Sequence, residues 1–363
     1  MIDSTAQTFF ASDFEYRPTT ARIVFGDNSL AKVSEALDWI GASAPLVLCT
    51  PFQKEQAEQV VALLGAKAAG IYANATMHTP VEVTEQALVE YQRTGADCTI
   101  AIGGGSTTGL GKALAYRTGC KQIVIPTTYA GSEVTPVLGQ TEKGQKTTFA
   151  DPQILPDVVL YDPLLTYGLP VEMSLTSAFN ALAHALEGLY AQNRNPVSSL
   201  MAKEGTIALL QALPLLKADP NSAEGRNLAL YGAWLCGTVL GNVGMALHHK
   251  LCHTLGGSFG LPHAETHTVI LPHAIQYNAA AVPHLLSPIT DVLGGDQPGQ
   301  ALWDLARDLG APISLKDLGM EEAQVEQAVE KALNNPYWNP REVTADGLRQ
   351  ILQNAWAGQP PHA

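Results

Sequence analysis

Two regimes of hydrophobic patterning decide what this chain can fold into. For about the first 165 residues short apolar, β-branched runs alternate with helical stretches, and beyond that helical periodicity takes over. Leu46–Thr50, Ala69–Ala73, Cys98–Ile102, Gln122–Ile125 and Val158–Tyr161 read as strands, with helices predicted over 53–64, 81–93 and 110–116. The strand runs are apolar without in-out alternation, as strands covered on both faces are. Strand and helix in turn imply a parallel, doubly wound sheet, so residues 1–164 read as a Rossmann-like α/β nucleotide-binding domain. Residues 165–363 read as an all-α domain, with helices predicted over 171–191, 196–213, 227–255, 321–333 and 345–357. A chain of 363 residues is also too long for one ordinary core.

Composition narrows the function. Hydrophobic residues make up 46% and charged residues 15%, which suits a large buried core. A net charge of -13 argues against a nucleic-acid partner, because binding a polyanion requires a basic surface. An anionic substrate would therefore need a local convergence of Lys, Arg or His. The N-terminus has neither the basic start nor the apolar run of a signal peptide. No stretch reaches the roughly 18 apolar residues of a membrane span, so a cytoplasmic protein with no membrane partner is expected. Cys49, Cys98, Cys120, Cys236 and Cys252 are odd in number and read as free thiols. Cys252 lies inside a histidine cluster and is read as a packing residue, with a reactive thiol or a metal ligand as the alternatives.

Gly103, Gly104, Gly105 and Ser106 follow one strand and precede a helix. Such a turn lets the backbone approach a phosphate while the N–H groups of the helix start point at it. Ser106 is expected to cap the helix or donate to a phosphate oxygen. The next strand ends in Pro126-Thr127-Thr128-Tyr129-Ala130-Gly131-Ser132-Glu133, a second turn rich in hydroxyls. Either turn alone is weak evidence. Two at successive strand ends favour nucleotide binding, although the GxGxxG fingerprint is absent.

The second half concentrates imidazoles. Asn180 with His184, and His249 with His253, stand four residues apart and so share helix faces. His263 follows in GLPHAETH. One histidine on an apolar helix is usually a core residue with a single hydrogen bond. Burying four such polar rings without purpose is costly, so His184, His249, His253 and His263 are predicted to form a metal or polar catalytic centre with Asn180. His248 and His267 read as exposed or supporting residues, and His273 is open.

Taken together, GGGS at 103–106, the threonine-glycine turn at 126–133, the pairing of 180 with 184 and HKLCHTLGGSFGLPH at 249–263 resemble the iron-containing alcohol dehydrogenase superfamily. The resemblance covers nearly the whole chain. It implies a dehydroquinate synthase-like arrangement, an active site in the cleft between the two domains, and a homodimer. The metal-dependent members carry Asp where this chain has Asn180; their other ligand positions correspond to His184, His249 and His263. Asn180, a threonine-glycine turn one residue shorter than usual, and the ending NPREVTADGLRQILQNAWAG look most like the maleylacetate reductases of that superfamily. That branch reduces the C=C bond of maleylacetate to 3-oxoadipate in the bacterial breakdown of aromatic compounds and is regarded as metal-free. The resemblance implies NADH or NADPH over residues 103–106 and over Thr127, Thr128 and Ser132, no bound metal, and a small dicarboxylate as substrate. Pro51 stands where an NAD-selecting Asp is often found, which leaves the coenzyme preference open. In this reading His184, His249 and His263 replace the Lewis acid, His253 supplies a proton and Lys250 meets a substrate carboxylate. The alternatives are a metal-dependent alcohol or polyol dehydrogenase of the same superfamily and a non-catalytic nucleotide-binding protein.

Overall fold

The computed structural model describes residues 13–18, 21–334 and 337–362. It divides into two compact units, Thr19–Leu169 and Pro170–Ala363, with residues 13–18 grouped with the second. The division falls at 169/170 rather than the expected 164/165 because the turn Pro163–Thr166 is anchored in the first unit. The Asp162 carboxylate accepts from the N–H of Leu164 (3.2 Å), Asn28 (3.1 Å) and Leu30 (3.1 Å).

The first unit follows the α/β reading. In chain order it contains β1 (Arg22–Phe25), α1 (Val33–Ile40), β2 (Pro45–Leu48), α2 (Lys54–Leu64), β3 (Gly70–Tyr72), α3 (Val81–Thr94), β4 (Cys98–Gly103), α4 (Gly105–Thr118), β5 (Lys121–Pro126), β6 (Val137–Glu142), β7 (Gln145–Ala150) and β8 (Val158–Tyr161). Six strands form one parallel sheet in the order β1-β8-β5-β4-β2-β3. Val47, Ile100 and Ile102 enter the core on one face of the sheet, whereas Leu46, Leu48 and Ala101 enter the core on the other. Both faces are covered, so these strands carry mostly apolar runs without in-out alternation. The chain leaves β2 for β3 on one side and returns as β4 on the other. The strand order thus reverses between β2 and β4, the place where open α/β sheets bind ligands.

Four of these elements, β1, α1, β6 and β7, escaped the sequence reading. β1 makes Leu46–Leu48 part of the second strand rather than the first. β6 and β7 form an antiparallel hairpin closed by Lys143 (φ 49) and Gly144 (φ 78), the positive-φ pair of a tight two-residue turn.

The second unit is helical: α5 (Val171–Leu189), α6 (Pro196–Ala218), α7 (Ala223–Asn242), α8 (Leu247–Phe259), α9 (His263–Ala279), α10 (Ser287–Leu293), α11 (Pro298–Leu309), α12 (Gln324–Leu333) and α13 (Ala345–Ala357). The single helix expected over 227–255 is two helices, α7 and α8, bent by 93°. Its break is built from polar capture: the Gly244 N–H donates to Asn193 Oδ1 (2.8 Å), and the first N–H groups of α8 are taken by a buried carboxylate described below. Among the described residues no single helix is long and apolar enough to cross a membrane.

In the middle of α9, His273 is 2% exposed and neither ring nitrogen has a hydrogen-bond partner in the protein. Burial holds its ring down to about 4 from the usual 6.5. Above pH 6.5 the folded and unfolded chains are both neutral here. Below it only the unfolded chain takes up the proton, so stability is lost as pH falls from 6.5 through 4. The shift corresponds to on the order of 3 kcal/mol. His273→Leu is expected to remove about that much of the difference between urea-unfolding free energies at pH 7 and pH 4; an unchanged difference would show that this ring is not the group responsible.

Candidate active site

The glycine turn expected to cradle phosphate lies at the switch point of the sheet. Gly103 ends β4 with φ 148, a backbone region that L side chains rarely adopt, and an added Cβ would stand 2.5 Å from both Gln53 Oε1 and Thr107 Oγ1. Gly104 caps α4, so Ser106 lies inside the first turn and is not the capping residue expected from the sequence. No acidic side chain occupies that first turn, which leaves the positive end of a 14-residue helix without an internal counter-charge. The second turn is latched to the first: the Thr127 N–H donates to the Gly103 carbonyl (3.0 Å), and Gln53 Nε2 donates to Thr127 Oγ1 (2.8 Å). Thr128 packs against Gly104, and Ser132 follows Gly131, whose φ is 76. Gly103→Ala is expected to break the Gln53 latch and weaken coenzyme binding by about 10-fold or more, measured by titration of NADH fluorescence; unchanged affinity would remove this turn from the binding surface.

The imidazole centre is assembled within the second unit from α5, α8 and α9. Asn180 and His184 lie one turn apart on α5, 6% and 4% exposed, and Asn180 Oδ1 and His184 Nδ1 have no hydrogen-bond partner in the protein. His249 on α8 brings its ring to 5.3 Å from that of His184 and 6.0 Å from that of His253. His267 on α9 links the remainder, with ring distances of 5.1 Å to His249 and 4.4 Å to His263. His253 and His263 are exposed, whereas His184 and His249 are buried. The result is a buried floor with two imidazoles at its rim.

Burial holds His184 well below the usual histidine range, with the neighbouring His249, His263 and His253 acting in the same direction. At neutral pH it is a neutral ring rather than a cation. His248 and His267, expected to be exposed or supporting, are 0% exposed and joined Nε2 to Nδ1 at 2.9 Å. Burial, and then the neighbouring imidazoles, keep both neutral. Cys252 is the packing residue that was expected: it is 2% exposed, and burial, followed by the Glu187 charge, pushes its thiol well up.

The sequence reading missed Glu187. It lies on α5, three residues after His184, and is 0% exposed. Its Oε2 accepts from His249 Nδ1 (2.7 Å) and from the N–H groups of Ala246 (3.0 Å) and His249 (3.3 Å); its Oε1 accepts from the His248 N–H (2.8 Å). One carboxylate therefore caps α8, creates the α7–α8 break and orients the His249 ring. With Nδ1–H committed to Glu187, His249 Nε2 is left without a partner. A carboxylate inside Ala/Leu-rich helical sequence was the signal available. Tyr337 was missed as well: its hydroxyl is buried without a hydrogen-bond partner. Lys250 is half-buried; its ammonium donates to the Asn334 carbonyl at the end of α12 (2.8 Å) and stands 5.3 Å from the Tyr337 ring centroid.

The model of the family described as iron-containing alcohol dehydrogenase matches residues 19–163, and that of the family's C-terminal region matches residues 174–356. The chain is 56% identical to maleylacetate reductase of Rhizobium sp. (strain MTP-10005) over 348 residues, covering 96% of this chain and 99% of the relative. The crystal structure of maleylacetate reductase from Agrobacterium tumefaciens superposes with a TM-score of 0.94 at 55% identity, covering 97% of this chain and 100% of that one. A putative alcohol dehydrogenase from Ralstonia eutropha JMP134 gives a TM-score of 0.95 at 54% identity, with the same coverage of each chain. The chain belongs to the iron-containing alcohol dehydrogenase family.

Proposed function

We propose that the chain is a maleylacetate reductase: it reduces the C=C bond of maleylacetate to give 3-oxoadipate, with NADH or NADPH as the reductant and without a metal at the imidazole centre. The observation that carries this reading is the Glu187-oriented His249 in a centre whose fourth corner is the Asn180 amide. The identity to maleylacetate reductases over nearly the whole chain supports the substrate.

The family's name implies iron, and the donor set here suits it poorly. Asn180, His184, His249 and His263 offer an amide and three imidazoles, none of them anionic. Divalent iron would bring its full charge to a largely buried site with no directly bonded anion to offset it. The carboxylate beside them, Glu187, already accepts four hydrogen bonds through its two oxygens. No step is therefore routed through a metal.

A bound nicotinamide coenzyme supplies a hydride, and Gly103, Gly104, Gly105 and Ser106, with Thr127, Thr128 and Ser132, would hold its phosphates. Hydride addition to an alkene conjugated to a carbonyl leaves an enolate, whose oxygen needs a hydrogen-bond donor. His249 serves as that donor through Nε2, its Nδ1 side being held by Glu187. Neutral His184 adds a polar contact. The proton for the α-carbon comes from the rim, where His253 is exposed and recharges from solvent.

The reading is tested by incubating the protein with maleylacetate and either coenzyme, with and without prolonged chelation, and following absorbance of the reduced nicotinamide. Equal rates before and after chelation are expected. Activity lost on chelation and restored by iron or zinc would make it a metal-dependent dehydrogenase.

A further inference from the structure

Lys112 is a lysine 0% exposed on α4, two turns from the glycine turn. Its ammonium is surrounded by oxygens of the segment that follows the second turn: the Ser132 carbonyl at 2.5 Å, Ser132 Oγ at 3.1 Å, Thr135 Oγ1 at 3.0 Å and the Val137 carbonyl at 2.9 Å. The two carbonyls can only accept. The Thr135 hydroxyl gives its own proton to the Ser132 carbonyl (3.1 Å), so towards Lys112 it too accepts. Three acceptors require three protons, and the group is an ammonium in spite of its burial. Burial pushes the ammonium down to about 7 from its usual 10.5, and the buried Glu133 side chain, itself holding the Tyr161 hydroxyl at 2.8 Å, acts in the opposite direction.

An ammonium has no lone pair. The Ser132 hydroxyl beside it cannot donate inward, and its proton must turn away from Lys112. Ser132 is only half-buried, so that proton is within reach of a ligand. We propose that Lys112 is a positioning residue for the coenzyme, fixing the Ser132 hydroxyl as a donor to a phosphate oxygen of the dinucleotide. This inference rests on the reading that residues 127–132 face the coenzyme phosphates, and the test separates the two.

The full-length chain is compared with Ser132→Ala, Lys112→Met and the double variant. The readouts are Kd for NADH by fluorescence, Kd for ADP and for adenosine by competition, and kcat and KM. Each single substitution is expected to weaken NADH and ADP by about 10-fold while leaving adenosine, which lacks phosphate, unaffected. The loss should fall on KM for NADH rather than on kcat. The double variant should be no weaker than Ser132→Ala alone, because Lys112 acts through that hydroxyl. If Ser132→Ala binds NADH normally, the placement of the coenzyme on this turn fails, and the inference with it. If Ser132→Ala is weakened but Lys112→Met is not, or the two losses multiply in the double variant, the inference alone is overturned. Equal weakening of ADP and adenosine would mark Lys112 as a purely structural residue. Lys112→Gln is the second variant; recovery of both Lys112 variants only as unfolded protein would likewise contradict a positioning role.

Discussion

Glu187→Gln is expected to lower kcat by on the order of 100-fold or more, although the side chain touches neither substrate nor coenzyme in the proposed mechanism. The carboxylate sets which His249 nitrogen carries its proton and stabilises the ring when it is charged. An amide of the same shape keeps one acceptor but presents an NH2 group to donors at His249 Nδ1 or at the first amides of α8. A buried amide facing a buried N–H leaves both without a partner. Glu187→Ala should do more: with the acceptor for three backbone N–H groups removed, the start of α8 loses its cap, at about 1–3 kcal/mol for each unsatisfied donor. Steady-state kinetics of the Gln variant and urea unfolding of the Ala variant separate the two roles. Wild-type turnover in folded Glu187→Gln would detach His249 from catalysis.

The second large effect is a gain. Asn180→Asp places a carboxylate beside His184 and near His249, completing the one-acid, three-imidazole set of the metal-dependent relatives. Metal content after growth with iron or zinc is expected to rise from substoichiometric to about one ion per chain, because an anionic oxygen ligand offsets the cation's charge where an amide cannot. Turnover with maleylacetate should fall at the same time, since His249 Nε2 would be taken up as a ligand. Elemental analysis and turnover on the same preparation check both parts. A variant whose metal content does not exceed the parent's would show that residue 180 does not set the metal affinity of this centre.

The alternation of strands and helices, the glycine turn and the imidazole set were legible because each leaves a periodic or compositional mark. Strands covered on both faces give unbroken apolar runs such as Cys98–Ile102, and helix faces repeat Asn180 with His184. What stayed hidden depends on tertiary partners. Asn227–Leu255 reads as one helix because nothing within it shows that Glu187, on α5, takes the N–H groups of Ala246 and His248. His248 and His267 look like surface or supporting residues until they are seen to pair through one ring nitrogen each. Lys250 has the right charge for a dicarboxylate, but sequence spacing cannot show that the end of α12 lies within its reach. The hairpin at 137–150 carries a usable mark, Lys143-Gly144 between two runs, that was outweighed by the helical and glycine-rich signals around it.

The central claim is that hydride reaches an alkene carbon, with imidazoles rather than a metal managing charge and proton. The most direct test follows deuterium from 4-deuterated NADH into product, using metal-stripped protein and maleylacetate, with NMR to locate the label. The account expects 3-oxoadipate labelled on a saturated chain carbon, formed at the same rate as with untreated protein. A hydroxy acid labelled at the carbinol carbon, or no product until iron or zinc is returned, would contradict it.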